Sequence, residues 1–138
     1  MGIKQNQIGR HTEIEIAQFL KKYRYWAFII PKGINGQPFD IIARRKNKTF
    51  FIDAKHSDTN LFPFDRIEPN QITSMSYAYA IAEIKDNMGF VIEYNNELYF
   101  LNYHMYVEMK NKGQKSVKIE LLEKLEVLLG EDNGSCNF

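Results

Sequence analysis

The sequence predicts a mixed α/β domain built on one central sheet. Three observations lead there. Two separate stretches carry apolar residues at helical spacing, several short runs are rich in β-branched and aromatic residues, and glycine, proline and asparagine punctuate their boundaries.

The elements follow in order. From about Gln5 to Tyr23, Ile16, Leu20 and Tyr23 recur at i, i+4 and i+7 beside Ala17 and Phe19, the pattern of a helix with one apolar face. Tyr25 to Pro31 (YWAFIIP) reads as a strand. The loop KGINGQP comes next, then two strands over about 39–45 and 49–56 that form a hairpin across a basic turn. Residues 57–68 are expected as a longer loop with apolar residues of its own. Pro69 opens a second helix, where its missing N–H costs nothing, and this helix is expected to reach about Lys85. Met88 to Tyr94 and Glu97 to Tyr103 make a second hairpin across Asn95-Asn96, residues that tolerate positive φ. Short helices are expected near 103–111 and 119–129. The order is α-β-β-β-α-β-β, then helices.

With 138 residues, 44% hydrophobic and 25% charged, the chain is expected to form one domain over 1–129, followed by a polar tail at 130–138. The single cysteine, Cys136, excludes a disulfide framework or a cysteine-rich zinc cluster. Apolar runs such as Trp26 to Ile30 are far shorter than the roughly 20 residues a membrane helix needs. The opening MGIKQNQIGR has no apolar signal core, so a cytoplasmic protein with no membrane partner is the expectation. Charge is unevenly spread. Residues 1–57 hold 11 Lys/Arg against 4 Asp/Glu, and residues 58–138 hold 7 against 13. A basic N-terminal half suits a polyanion, although two oppositely charged halves can also pack on each other.

The first hairpin contains unusual chemistry. In GQPFDIIARRKNKTFFIDAK, each apolar run carries an aspartate. Strand alternation puts Phe51, Asp53 and Lys55 on one face, and Asp40, Ile42 and Arg44 on one face of the preceding strand. A two-residue turn at Lys46-Asn47 sets Asp40 opposite Asp53; a turn at Asn47-Lys48 sets it opposite Lys55; a three-residue turn separates them. Opposed carboxylates repel, and a divalent cation offsets that repulsion. Mg²⁺, a hard ion, prefers carboxylate and water oxygens. With Lys55 to hold a phosphate oxygen or a water, two acids and a metal make a phosphodiester-hydrolysing site. The plainer alternative is an Asp40 that caps the loop following Pro38, with Asp53 and Lys55 in a surface cross-strand pair with Lys48 or Arg44.

An aspartate after a proline loop, then D-x-K closing the next strand behind an N-terminal helix, resembles the PD-(D/E)xK nuclease superfamily. Within it, the layout is similar to Holliday-junction resolvases of the RecU and Hjc types. NQIGRHTEIEIAQFL, PFDIIA, FFIDAKHS, LFPFDRIEPNQITSM and GFVIEYNNELYFLNY carry the resemblance across residues 6 to 103. It implies a restriction-endonuclease-like fold, with a central mixed sheet flanked by helices. It also implies an endonuclease of DNA recombination and repair that cuts four-way junctions by paired symmetric nicks as a homodimer, using Mg²⁺ with Mn²⁺ as a substitute. Asp40 and Asp53 match the metal-binding acids and Lys55 the catalytic lysine. Glu13, four residues after Gly9, matches the helix glutamate that completes the metal site, and Gln71 matches a glutamine near the active site. Independently, Glu13 borders the stripe of Ile16, Ala17 and Leu20, where an unpaired carboxylate is costly, whereas Glu15 points elsewhere. RecU-type enzymes carry a long stalk before the first aspartate; here only KGINGQPF occupies that place.

Lys4, Arg10, Arg44, Arg45, Lys46 and Lys48 are the candidate DNA contacts, since clustered cations supply sequence-independent affinity for phosphates. His11 and His56 lack zinc-site spacing, and Tyr77, Tyr79, Tyr99, Phe100 and Tyr103 are expected in the core or at a subunit interface. The competing readings are a PD-(D/E)xK endonuclease for ordinary duplex, of restriction or repair type, and a catalytically silent DNA-binding module.

Overall fold

The computed structural model describes residues 5–33, 37–84 and 87–130. Helix α1 (Gln5–Lys22) buries Ile16, Ala17 and Leu20 along one face. It ends at Arg24, whose φ of 70° lets Tyr25 N–H reach Leu20 O and Arg24 N–H reach Lys21 O. This paired closure satisfies two of the last carbonyls, with arginine standing where glycine is usual. Strand β1 (Trp26–Ile29) then runs antiparallel to β2 (Ile41–Arg45), and β2 to β3 (Lys48–His56). The β2–β3 turn is the two residues Lys46-Asn47, with Lys46 at φ 55°. Arg45 pairs with Lys48 and Ile41 with Ile52, which fixes the register of the whole hairpin.

Strand β3 pairs in parallel with β5 (Met88–Tyr94), and a parallel pair needs a crossover. Here the crossover carries β4 (Leu61–Pro63), a 3₁₀ turn at Phe64–Arg66 and helix α2 (Pro69–Ile81). Pro69 stands at the start of α2, as its sequence predicts. Strands β5 and β6 (Glu97–Asn102) form the second hairpin, with Asn95 at φ 54° and Asn96 at 63°, both in the left-handed region a tight two-residue turn requires. Helix α3 (Tyr103–Asn111) follows, capped by Asn102 accepting from His104 N–H. With β8 (Glu123–Lys124) beside β6, the six-stranded sheet has the order β1-β2-β3-β5-β6-β8, mixed in direction.

Alternation sorts the side chains onto two cores. Ile41, Ala43, Phe50, Ile52, Val91 and Phe100 face Ile16 and Leu20 of α1. Phe90, Ile92, Tyr99 and Leu101 face Met75 of α2, Tyr106 of α3, and Phe62 and Phe64 of the crossover. Strand β5 is buried on both faces, which is why MGFVI reads as an unbroken apolar run. Tyr99, Phe100 and Tyr103 are core residues, whereas Tyr77 is exposed. Among the described residues no helix is long and apolar enough to cross a membrane.

Three expectations are corrected. The 57–68 loop contains β4, which pairs with β7 (Ser116–Lys118), a partner too distant in sequence to leave a local signal. Helix α2 stops at Ile81 rather than Lys85, and Glu83 beyond it lies at φ 56°. Residues 119–129 are not one helix. A 3₁₀ turn (Ile119–Leu121) leads into β8 (Glu123–Lys124), which pairs with β6, and only then into α4 (Leu125–Gly130). The spacing of Ile119, Leu122, Leu125 and Leu129 imitates a helix, but the first two enter one core and the last two the other. The chain wraps the β6 edge between them. The polar tail beyond Gly130 and Lys4 lie outside the described residues.

At Gly89 on β5, a Cβ would sit 2.2 Å from Leu101 O and 3.0 Å from Tyr103 N. Neither main-chain group can yield without breaking the β5–β6 ladder. Gly89→Ala is expected to destabilise the fold by about 2–3 kcal/mol or more, read as a lower denaturation midpoint; an unchanged midpoint would contradict the register.

Candidate active site

Because the hairpin turns at Lys46-Asn47, Asp40 falls level with Asp53 at the open end of β2 and β3. Its main-chain N–H donates to Ile52 O at 2.8 Å. Strand β2 begins just after Asp40, leaving Ala54 N–H without a strand partner on that side, and Asp40 Oδ2 accepts from it at 2.8 Å. That bond orients the carboxylate toward β3. Glu13, on α1, is 4% exposed, and the Lys32 ammonium links it to Asp40: Nζ lies 2.6 Å from Glu13 Oε2 and 2.5 Å from Asp40 Oδ1.

Asp53 is the most enclosed member, 2% exposed. Its Oδ1 accepts from Gln71 Nε2 at 2.7 Å. Gln71 in turn accepts from Lys55 Nζ at 3.3 Å through Oε1, which also closes the capping box at the start of α2. The helix start thus positions an amide between Asp53 and Lys55. Lys55 Nζ lies 3.0 Å from Asp53 Oδ2, but without hydrogen-bond geometry, so that oxygen is buried with no hydrogen-bond partner. Burial pushes the Asp53 carboxyl up to about 7; the Lys55 charge pulls it down, and neighbouring Asp40 pushes it up again.

The predicted residues Glu13, Asp40, Asp53, Lys55 and Gln71 are therefore brought together. The plainer alternative, Asp53 and Lys55 paired across the strands at the surface with Lys48 or Arg44, does not describe an aspartate this deeply enclosed. Glu15 lies apart. It is 3.5 Å from His11 Nε2, and burial and a hydrogen bond to Glu93 raise its carboxyl above the ordinary range, the hydrogen bond being the larger cause. His56 is clamped between Glu93 and Asp58, each at 3.0 Å.

The basic residues divide. Arg44 is exposed on the face of the acids and donates to Thr49 Oγ1 at 2.6 Å; Lys46 is exposed at the turn, and Arg10 on α1. Alternation turns Arg45 and Lys48 to the opposite face. Arg45 is buried there, its guanidinium nitrogens without hydrogen-bond partners, which removes it from the candidate phosphate contacts. Lys48 lies over the Phe50 ring and within 3.4 Å of Leu128 O. Lys32 is the residue that sequence reasoning missed. Its only local signal is a lone cation between Pro31 and Gly33 on the way to Asp40.

Three carboxylates at one end of a sheet are hard oxygen donors suited to Mg²⁺, and the unsatisfied Asp53 Oδ2 leaves a donor atom for it. Among the described residues no three such side chains converge as a ready-made cage; the Lys32 ammonium sits between two of the acids instead.

No family model and no curated protein sequence matches the chain. A solved structure does: that of Archaeoglobus fulgidus Hjc, a Holliday junction resolvase from an archaeal hyperthermophile. The two superpose with a TM-score of 0.66 at 14% identity, over 88% of this chain and 100% of that one. The fold is that of Hjc. A restriction-endonuclease-like arrangement, a central mixed sheet flanked by helices, is thus common to Hjc and this chain.

Two outcomes follow from the charge balance. In the unfolded chain Asp53 ionises near its ordinary 3.8, so between about pH 4 and 7 the folded chain holds the extra proton and metal-free stability falls as pH rises, by about 4 kcal/mol at most. Asp53→Asn is expected to flatten that slope in thermal unfolding with EDTA; parallel wild-type and variant curves would contradict it. Lys32→Met leaves Glu13 and Asp40 without their shared counter-charge. With Lys32 largely exposed, a loss of about 1–2 kcal/mol is expected in EDTA, shrinking when Mg²⁺ is added.

Proposed function

We propose that the chain is a Mg²⁺-dependent endodeoxyribonuclease that resolves four-way DNA junctions. The observation that carries the reading is the convergence of Glu13, Asp40, Asp53, Lys55 and Gln71 at one sheet end, in a fold shared with Hjc. Glu13, Asp40 and Asp53 would hold the cation. When bound, Mg²⁺ supplies a water of lowered pKa and positive charge beside the phosphate.

The chain's own groups account for the rest. Asp40 is held in place by Ala54 N–H, and Asp53 by Gln71, so neither carboxylate must reorganise. Lys55, anchored through Gln71 Oε1, presents its ammonium beside Asp53 as a point charge for a phosphate oxygen or for orienting the attacking water. Arg44, Lys46 and Arg10 supply exposed cations for the flanking phosphates, Arg44 on the same face as the acids. Two symmetric nicks across a junction call for two sites related by a two-fold axis, and a homodimer provides them.

A gel assay with synthetic four-way junction, matching linear duplex and single strand tests the reading. With Mg²⁺ the wild-type chain is expected to cut the junction preferentially and Mn²⁺ to substitute. Asp53→Asn is expected to lose at least about a hundredfold in rate, and Gln71→Ala about 10–100-fold. Equal cutting of duplex and junction would replace the resolvase reading with a duplex endonuclease, and Asp53→Asn cutting at the wild-type rate would remove the site.

A further inference from the structure

Strand β1 is the sheet edge, and its register carries the active-site face outward. Phe28 lies opposite Ile42 and Trp26 opposite Arg44. Directly opposed residues share a face, and Ile42 and Arg44 share theirs with Asp40. Phe28 and Trp26 therefore extend from the acids along one open surface, about 7 and 13 Å along the strands from the level of Asp40. Trp26 is 61% exposed and Phe28 49%. Their rings are nearly parallel, 3° apart, with centroids 6.1 Å from each other.

Neither ring belongs to either core. Helices α2 and α3 and the crossover cover β3, β5 and β6 on this side, and the outer half of the face, Trp26, Phe28 and the half-buried Ile42, stands beyond them. Two large aromatics turned outward beside a cluster of functional acids mark a contact surface rather than a packing residue. The surrounding charge indicates the kind of contact. Residues 21–33 and 41–52 contain no Asp or Glu, and Arg24, Lys32, Arg44 and Lys46 are exposed among them. A second copy of this face, brought up across a two-fold axis, would set those cations against their own counterparts. A polyanion neutralises them.

We propose that Trp26 and Phe28 form a stacking platform for unpaired nucleobases of the DNA that occupies the acidic site. This rests on the nuclease reading and deepens it. An aromatic ring accepts any base, since every base has a π-face, while the adjoining cations take the backbone. In continuous duplex the bases stack on one another and present no free face. Branch points, frayed ends and single strands present one. The platform thus favours DNA with unstacked bases over regular duplex, next to the groups that cut, and gives a compact chain a way of sensing structure with no long insertion before Asp40.

Trp26 is the only tryptophan of the chain, so its emission reports on this surface alone. With EDTA present to prevent cutting, the full chain is titrated with synthetic four-way junction, single strand and matching duplex, following tryptophan emission and the anisotropy of labelled DNA together. Junction and single strand are expected to quench Trp26. Trp26→Ala is expected to weaken their binding by about five- to a hundredfold, with duplex binding within about twofold of wild type. Phe28→Ala moves the same way, and circular dichroism confirms that both variants fold. Binding without quenching, or equal weakening on all three DNAs, would overturn the platform and leave the nuclease reading standing. A blue shift with rising protein concentration and no DNA, with doubled mass, would overturn it in favour of a subunit interface. No DNA binding by the wild-type chain would overturn both readings.

Discussion

The two-residue turn Lys46-Asn47 is the constraint on which the site depends. A sheet has a side-chain period of two, so one residue more in that turn would move Asp40 to the opposite face from Asp53 and Lys55. The turn is held by the pairing of Arg45 with Lys48 and by burial of Ile41, Ala43, Phe50 and Ile52 against α1. A slip would expose that apolar set to water and bury Arg44 in its place. The hydrophobic core on one face thus enforces the position of the acids on the other.

Having brought carboxylates together, the fold must offset their repulsion. It does so with two lysines on different elements. Lys32, from the loop after β1, spans Glu13 and Asp40, while Lys55, two residues beyond Asp53 on β3, lies against the most enclosed acid. Gln71 adds a neutral donor to Asp53 while its carbonyl oxygen accepts from Lys55, so one amide is fixed from both ends. The raised Asp53 carboxyl shows that these contacts do not fully compensate burial. A site poised this way has an electrostatic reason to accept a cation.

The two faces of the sheet are used differently. Helix α1 and α4 close one face with aliphatic side chains, whereas α2, α3 and the β4–β7 pair cover only part of the other. The acids lie at the margin of that partial cover, and the aromatic and cationic edge lies outside it. Loop-to-helix geometry completes the arrangement, since the capping box that starts α2 is also what delivers Gln71 to Asp53.

The sequence by itself determined the sheet with its two hairpins, the two long helices and the identities of the clustered acids, lysine and glutamine. The elements and the grouping of Asp40, Asp53 and Lys55 follow from local rules: strand alternation, helical spacing, Pro69 at a helix start and asparagines in a tight turn. Gln71 is marked only by the resemblance to junction resolvases, and Glu13 by that resemblance together with its place beside an apolar stripe. It left open whether Asp40 would meet Asp53, Lys55 or neither, because two placements of a two-residue turn and one three-residue turn suit Lys46-Asn47-Lys48 equally in isolation. Only packing of the opposite face decides among them. Tertiary structure also placed Lys32 between two acids, buried Arg45, paired β4 with β7 and split 119–129 between two cores. Each of these joins residues distant in sequence, or chooses a face for a side chain, and no local pattern of residues encodes a choice made by the rest of the fold.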